Sequence, residues 1–444
     1  MKIVIAGAGE VGSHLAKLLS REEQDIVLVD DDSSKLDAIS SNYNLMTFRG
    51  SPTSFDALRN AGVENCDLFI AVTPFETRNV TSCAIAKSLG AKRTVARIDN
   101  YEYMASDNRD FFTRLGVNSL IYPEYLAASE IVTALERNWV RHWFEIHDGE
   151  IILVGVKLRD NARLIGMQLK ELAAMQHNFH VSAIKRNHET IIPRGDDYIK
   201  SNDILYFTTR RDDVNELLEL CGKRHRPIKK VMIMGGSRIA VRLVKMAGER
   251  YRFKIIEISR ERCLKLSEKV PDADIVCGDA RDIDTLKEER ISDMDAFIAL
   301  TDSSETNILS CLSAKEFGVP KTIAEVENIQ FISEAEGLNI GTIVNKKLLA
   351  SSKIFQMLLD ADSSSSKCLA LADAEVAEIE VKPKSKITKA PVKDLNLSRS
   401  MTIAGLIRDG HGQLVTGNTT IQAGDHVLVF CLAGSIHKIE RLFN

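Results

Sequence analysis

Residues 1–222 of this sequence recur, in altered form, over the second half of its 444 residues. At an offset of 228, Ile5-Ala6-Gly7-Ala8 faces Ile233-Met234-Gly235-Gly236, Ala71-Val72-Thr73 faces Ala299-Leu300-Thr301, and Asn79 faces Asn307. The densest stretch is Cys83 to Gly90 (CAIAKSLG) against Cys311 to Gly318 (CLSAKEFG). At an offset of 222, Arg186 faces Arg408, Gly195 faces Gly417 and Asp203 faces Asp425. A repeat of this size replaces the roughly three independent domains that length alone would suggest with two copies of one two-domain plan. The boundaries fall around Arg137, Gly222 and the serine-rich 361–367, giving a larger unit over 1–138, a smaller one over 139–222, and their second copies over 223–360 and 361–444.

Within the first larger unit, apolar runs at Lys2–Ala6, Asp25–Asp30, 45–48, 68–72, Arg93–Arg97 and 119–122 alternate with stretches of helical period at 11–19, 34–41, 54–61, 77–89 and 104–115. Strand alternating with helix six times predicts an α/β, doubly wound parallel sheet with helices on both faces. The smaller units show short strands around one helix, near 168–175 in the first and weakly at 392–395 in the second, an α+β pattern. An amphipathic segment at 124–136, echoed at 346–358, follows each larger unit and reads either as a sheet-packing helix or as a contact with a mobile neighbour or second subunit.

With 58 basic and 62 acidic residues the net charge is only -4, so nothing attracts the chain as a whole to nucleic acid or to an anionic bilayer. The short basic cluster at 223–230 contains a proline and reads as a solvated linker. Eight cysteines without paired spacing fit buried thiols in a reducing cytosol. No apolar run approaches the ~18 residues of a membrane span, and the N-terminal strand turns at once into glycines, leaving no room for a signal peptide. The expected location is the cytoplasm, with any membrane role exerted through another protein.

The chemistry concentrates at Gly7-Ala8-Gly9-Glu10-Val11-Gly12, a GxGxxG set directly between a strand and a helix. Gly7 permits the tight turn, Gly9 lets a pyrophosphate approach the backbone, and Gly12 lets the helix pack closely, while the helix N-terminus offers free amides. Asp30, at the end of the second strand, stands where a carboxylate accepts the hydroxyls of an adenosine ribose. An acid there favours a free 2′-hydroxyl, hence NAD over NADP. Thr73 and Pro74 follow the fourth strand and Arg97 ends the fifth, all at the carboxyl edge where open α/β sheets bind ligands. Arg97 reads either as a phosphate partner or as a surface ion-pair residue.

The second copy reads Gly235-Gly236-Ser237-Arg238-Ile239-Ala240, with Glu257 for Asp30, Thr301 and Asp302 for Thr73 and Pro74, and Glu325 for Arg97. Ser237 puts a side chain where phosphate would approach, and Glu325 puts an anion where a cation stood, with Arg238 a possible compensation from the same turn. The expectations are weaker binding, a less anionic ligand such as AMP, or a purely structural role.

No GxSxG, Walker lysine motif or HExxH occurs. The ten histidines, His142, His147, His177 and His180 among them, lack partners at metal spacing and read as surface or packing residues. An NAD-dependent oxidoreductase would need an acid or base facing the nicotinamide, for which the small units leave little room; it stands as the alternative.

Taken together, GAGEVG at Gly7–Gly12, Leu28-Val29-Asp30, Ala71 to Asn79, Ala96-Arg97-Ile98 and the small unit ending Gly195 to Phe207, all doubled, resemble the TrkA family of Trk potassium-uptake regulators. The resemblance spans essentially the whole chain. It implies two RCK (regulator of potassium conductance) N-domains, each followed by an RCK C-domain, in a non-enzymatic cytoplasmic gating subunit. It further implies a homo-oligomeric ring, tetrameric in form, beneath a TrkH- or TrkG-type membrane potassium channel. The expected ligands are NAD or NADH and, beside them, ATP, ADP or AMP. By motif, the first site comprises Gly7, Ala8, Gly9, Glu10, Val11, Gly12, Asp30, Thr73, Pro74 and Arg97. The second comprises Gly235, Gly236, Ser237, Arg238, Ile239, Glu257, Thr301, Asp302 and Glu325. A sensor subunit of another transporter, such as an antiporter, would share this plan.

Overall fold

The structure is a computed structural model that describes residues 1–20, 24–40, 43, 45–175, 178–187, 189–223, 226–338, 340–359, 366–371, 374–432 and 442–443. Most of the serine-rich 361–367, residues 224 and 225 of the basic cluster, and His177 lie outside the described residues.

In the first larger domain the strands are β1 (Lys2–Ala6), β2 (Asp25–Asp30), β3 (Met46–Arg49), β4 (Leu68–Ala71), β5 (Arg93–Arg97) and β6 (Ser119–Ile121). The helices between and after them are α1 (Glu10–Leu19), α2 (Ser33–Ser40), α3 (Phe55–Asn60), α4 (Glu76–Leu89), α5 (Ser106–Arg114) and α6 (Pro123–Glu136). The sheet order is β3-β2-β1-β4-β5-β6, with parallel pairing between neighbours. The central strands are unbroken apolar runs because helices cover both faces. Val4, Ala6, Phe69 and Ala71 pack against Leu58, Cys83 and Ala86 from the helices. The expected helix over 104–115 is shorter at its start. Asn100 accepts the Glu102 amide and closes a 3-10 turn over Tyr101–Met104, and extended Ala105 delays the helix to Ser106.

The first smaller domain carries β7 (His142–Ile146), β8 (Ile151–Lys157), α7 (Leu169–Ala174), β9 (Phe179–Arg186), β10 (Glu189–Ile191), β11 (Ile204–Thr209) and α8 (Val214–Leu220). Its antiparallel sheet runs β10-β9-β11-β8-β7.

The second copy follows the same plan. Its larger sheet is β14-β13-β12-β15-β16-β17, from β12 (Lys230–Met234), β13 (Arg252–Glu257), β14 (Asp274–Cys277), β15 (Ala296–Ala299), β16 (Lys321–Glu325) and β17 (Thr342–Val344). Its helices are α9 (Arg238–Ala247), α10 (Arg260–Lys269), α11 (Ile283–Glu288), α12 (Ser304–Glu316), α13 (Gln330–Gly337) and α14 (Lys346–Leu359). The last domain has β18 (Ser366–Leu371), β19 (Ala374–Glu380), β20 (Met401–Arg408), β21 (His411–Leu414) and β22 (His426–Leu432), ordered β18-β19-β22-β20-β21. The segment at 392–395 is a 3-10 turn rather than a helix. Ser366 and Lys367, expected as linker, open β18.

Contacts divide the chain into two compact units. The first joins Met1–Glu130 to Gly236–Met246 and Val344–Met357, so that α9 and most of α14 belong with the first larger domain. The second holds Ile131–Gly235, Ala247–Ile343 and Leu358–Asn444. Inside it the two small domains share one core, in which Ile151, Leu153 and Tyr206 meet Val376, Leu428 and Phe430.

The Arg and Asp matches of the repeat are a structural staple. Arg186 donates to both Asp203 oxygens at 2.8 and 2.7 Å, Arg408 to both Asp425 oxygens at the same distances, and each aspartate is buried. Cys66, Cys83, Cys221, Cys263, Cys311 and Cys431 are buried, whereas Cys277, expected inside, is exposed at the end of β14, a strand at the sheet edge. Burial pushes the pKa of His142 and His180 down to about 4, so both are neutral packing groups at neutral pH. Among the described residues, no helix is long and apolar enough to cross a membrane, and no group of three or more His, Cys, Asp or Glu could hold a metal ion.

Candidate nucleotide site

The turn after β1 is built by close approach. Gly7 has φ +112, and a Cβ there would lie 3.0 Å from the Thr73 nitrogen. Gly12 has no room at all, since a Cβ would fall 1.8 Å from the Gly7 carbonyl oxygen. Gly9 is the opposite case, with nothing within 4 Å of the place a Cβ would occupy. The backbone is therefore open to a ligand at Gly9 and closed against protein at Gly7 and Gly12. No side chain caps α1, so its first amides, those of Glu10, Val11 and Gly12, have no helical partner and present partial positive charge.

Asp30 is buried at the end of β2 and faces this turn. Its Oδ2 accepts the Ala8 amide at 2.6 Å and its Oδ1 accepts the Asp32 amide at 2.9 Å. A carboxylate has about four acceptor positions, so holding the turn leaves capacity for a ribose hydroxyl. Thr73 is buried and Pro74 exposed at the end of the fourth strand. Arg97 pairs with Asp99 at 3.2 Å, while its buried Nε has no hydrogen-bond partner among the described residues. An orphaned donor at the carboxyl edge of the same sheet as the open turn fits an anionic or hydroxyl-bearing ligand.

Four residues that motif reading passed over organise the site. Asn79, fully buried at the start of α4, accepts from the Thr73 amide at 2.9 Å and hydroxyl at 2.6 Å and donates to the carbonyls of Thr73 and Arg97 at 3.0 and 2.9 Å. It fastens the ends of β4 and β5 together. Glu76 accepts the amides of Asp99 and Asn100 at 2.8 and 2.9 Å. Arg78 pairs with Asp31 at 2.5 Å and holds that carboxyl below its ordinary pKa. Tyr101 lies under the Arg242 guanidinium, 3.5 Å from ring centroid to cation. The recurrence of Asn79 as Asn307 was the signal available in the sequence.

Helices from the second half of the chain complete this unit. Lys347 of α14 pairs with Glu10, and the Ser351 hydroxyl meets the Val11 carbonyl at 3.5 Å. Arg238 of α9 pairs with buried Glu124 at 3.1 Å and with Asp99 at 3.5 Å. Burial works against the Arg238 charge, but Glu124 and Asp99 outweigh it and raise the pKa above the ordinary guanidinium value. The cation expected to compensate the second turn is thus engaged by carboxylates of the first domain. Ser237 accepts the Ala240 amide at 3.4 Å, and Ile239 is buried.

The second sheet repeats the scaffold. Gly235 has φ +94 and donates to the Ile256 carbonyl at 2.9 Å. Asn307 fastens Thr301 and the Glu325 carbonyl as Asn79 does their counterparts, with distances of 3.0, 2.6, 2.9 and 2.8 Å. Ser304, in place of Glu76, accepts the Glu327 and Asn328 amides at 3.0 and 3.3 Å. Glu257 accepts the Ser259 amide at 2.9 Å, as Asp30 accepts that of Asp32. Asp302 is exposed and Glu325 buried. The two arginines of the first site have no counterpart here, Thr306 standing for Arg78 and Glu325 for Arg97.

Comparison with known proteins matches the family model described as the TrkA-N domain over residues 3–123 and 231–346, and the TrkA-C domain over 153–222 and 376–444. The chain is 30% identical to the Trk system potassium uptake protein TrkA of Halomonas elongata, across all of this chain and 98% of that protein. It is 31% identical to the Trk system potassium uptake protein TrkA homolog of Archaeoglobus fulgidus, across the whole of both. Among solved structures it is similar to the GsuK channel bound to NAD, with a TM-score of 0.60 at 15% identity over all of this chain and 78% of that one. At that identity the likeness is one of fold.

Proposed function

Since the chain belongs to the TrkA family of Trk system potassium uptake proteins, we propose that it is a nucleotide-responsive regulatory subunit of potassium transport and not an oxidoreductase. The observation that carries this is the turn at Gly7–Gly12, open at Gly9 and lined by free helix amides, with Arg97, whose Nε has no partner among the described residues, at the carboxyl edge of the same sheet. The ligand is NAD or NADH, with ATP, ADP or AMP as the related adenine nucleotides; a relative of the same fold solved with NAD supports this. Gly7 through Val11 receive the pyrophosphate, Gly12 keeps α1 close, Asp30 accepts the ribose, and Thr73, Pro74 and Arg97 close the carboxyl edge.

Regulation follows from what touches that turn. A ligand shifts a conformational equilibrium only by binding its states unequally. Glu10 and Val11 contact α14, and Asp99 contacts α9, so a phosphate drawn to this turn competes with those contacts. The chain then acts from the cytoplasmic face through a TrkH- or TrkG-type channel, as a homo-oligomeric, tetrameric ring. Calorimetric titration of NADH, NADPH and ATP tests the site. Asp30→Asn weakens NADH by about tenfold or more, and NADPH binds less well than NADH. Unchanged NADH binding in the variant refutes the ribose contact, and sustained turnover of NADH with any substrate pool refutes the non-enzymatic reading.

A further inference from the structure

The second copy carries a chemistry that the first lacks. Cys263 of α10 and Cys277 of β14 stand where the first copy has Lys35 and Arg49, so the shared scaffold does not call for a thiol at either place. Both lie in the same compact unit, at the carboxyl end of β13 beside Glu257.

Backbone geometry brings the two side chains together. Cys277 is the register partner of Glu257 across the parallel pair of β13 and β14. The Glu257 carbonyl accepts the Gly278 amide at 3.0 Å and the Cys263 thiol at 3.3 Å, so Cys263 Sγ and the peptide unit joining Cys277 to Gly278 meet at one oxygen. Val276 packs with Leu286 of α11 and Ile308 of α12, and the alternation of a strand turns Cys277 to the opposite face. That face is the one α10 covers, because right-handed crossovers put the helix leading outward from β13 to β14 opposite those that run back through β15. Burial, and after it a hydrogen bond with the Cys277 thiol, pushes the Cys263 thiol up to about 11. Cys277 is exposed on the edge strand and Cys263 is buried behind it. A reachable thiol backed by a shielded one is the arrangement of an attacking and a resolving cysteine.

We propose that Cys277 and Cys263 are a redox-active dithiol that closes to a disulfide by exchange with a small organic disulfide. The Cys277 thiol loses its proton and attacks one sulfur of the reagent, whose bond breaks to leave a mixed disulfide and one small thiol. Cys263 then loses its proton and attacks Cys277 Sγ, the mixed bond breaks, and the second small thiol departs. Two protein thiols are oxidised by two electrons, and one disulfide is reduced to two thiols. Closure surrenders the Cys263 hydrogen bond to Glu257 and ties the start of α10 to the edge strand. It thereby fastens the turn in which Glu257 accepts the Ser259 amide and Ser259 caps the helix. In a reducing compartment the dithiol is the resting form.

The experiment treats the full chain with hydroxyethyl disulfide at mildly alkaline pH, blocks the remaining thiols, and reads tryptic peptides by mass spectrometry beside hydrogen exchange. In the wild type the peptides carrying Cys263 and Cys277 are recovered joined. Amides of α10 and β14 then exchange about tenfold or more slowly than in the reduced chain, those of α2 and β3 in the first copy are unchanged, and dithiothreitol reverses both effects. Cys263→Ser and Cys263→Ala stop at the reagent adduct on Cys277, and Cys277→Ser leaves Cys263 a free thiol. A lasting adduct on Cys277 in the wild type, no reaction at Cys277, or a joined pair with unchanged exchange in α10 and β14 overturns the proposal, whether or not a nucleotide binds at Gly7–Gly12.

Discussion

Asn79 is where structure and ligand binding can be separated most cleanly, because the chain carries its own control. Asn79→Ala deletes four hydrogen bonds inside a fully buried site and strands the Thr73 amide and the Thr73 and Arg97 carbonyls. Each bond contributes about 0.5–1.5 kcal/mol net, and a stranded buried group costs roughly 1–3 kcal/mol. Allowing for relaxation and entering water, the loss is roughly 3 kcal/mol, about a hundredfold in local opening. A chain of several domains does not unfold in one transition, so the measurement is hydrogen exchange of the amides in β4 and β5, read by mass spectrometry. Asn307→Ala removes the same four bonds from the second sheet and exposes β15 and β16 by a similar factor. The two variants part company on ligand. Asn79→Ala weakens NADH by about tenfold or more, because Thr73 and Arg97 lose their shared anchor, while Asn307→Ala leaves NADH at the first site unchanged. Wild-type exchange in β4 and β5 of Asn79→Ala, or equal losses of NADH affinity in both variants, refutes the reasoning.

Three further outcomes test separate parts of the account. Gly9→Ala folds with stability within about 0.5 kcal/mol of wild type, since nothing lies near its Cβ, yet loses NADH in calorimetry; Gly12→Ala, whose Cβ meets the Gly7 oxygen at 1.8 Å, loses both binding and exchange protection around β1. Arg238→Ala leaves the buried Glu124 without its partner and costs roughly 1–3 kcal/mol, seen as faster exchange along the first turns of α6. Burial holds Lys157 and Lys315 near 8 in the fold against 10.5 ordinarily, so the unfolded chain binds more protons between those values. Their cost is fully present below pH 8 and is relieved as pH rises toward 10.5; the ratio of hydrogen-exchange rates of β8 and α12 between Lys157→Gln/Lys315→Gln and wild type, taken at each pH, therefore moves toward one over that window, and a constant ratio contradicts it.

The sequence is most readable where one residue type satisfies a local rule. Strands β1, β2 and β5 match their apolar runs residue for residue, because a buried parallel strand has no solvent face to blur its ends. The glycine turn and Asp30 are legible for the same reason. The partners across the fold are not. Asn79 and Glu76 act on backbone groups 6 to 24 residues away, and neither residue type implies such a bond before the strands are placed. Arg238 misleads in a different way. Its position in the second turn suggests a phosphate partner there, but a side chain of that reach goes to the nearest buried carboxylate, and Glu124 lies in another part of the sequence. Cys277 looks like its buried companions, yet an edge strand leaves one side uncovered.

The two copies have kept different things, and the difference says what each is for. Both retain the residues that hold backbone in place: Gly7 and Gly235 at positive φ, Asn79 and Asn307 across the strand ends, Arg186 with Asp203 and Arg408 with Asp425. Even the thiols recur, Cys83 and Cys311 each donating to a strand carbonyl at 3.4 Å. Among the changes are several at the phosphate-binding turn and the strand edge beside it. Gly9 becomes Ser237, Gly12 becomes Ala240, Arg78 becomes Thr306 and Arg97 becomes Glu325. Loss of stability would remove a fold, whereas loss of a ligand removes only the constraint on the atoms that touched it. The second copy's α9 and α14 instead reach the first copy: Arg238, Lys347 and Ser351 each contact its turn or the strand edge beside it. If the proposed function holds, the first half binds the nucleotide and the second supplies the helices that a bound phosphate displaces or holds.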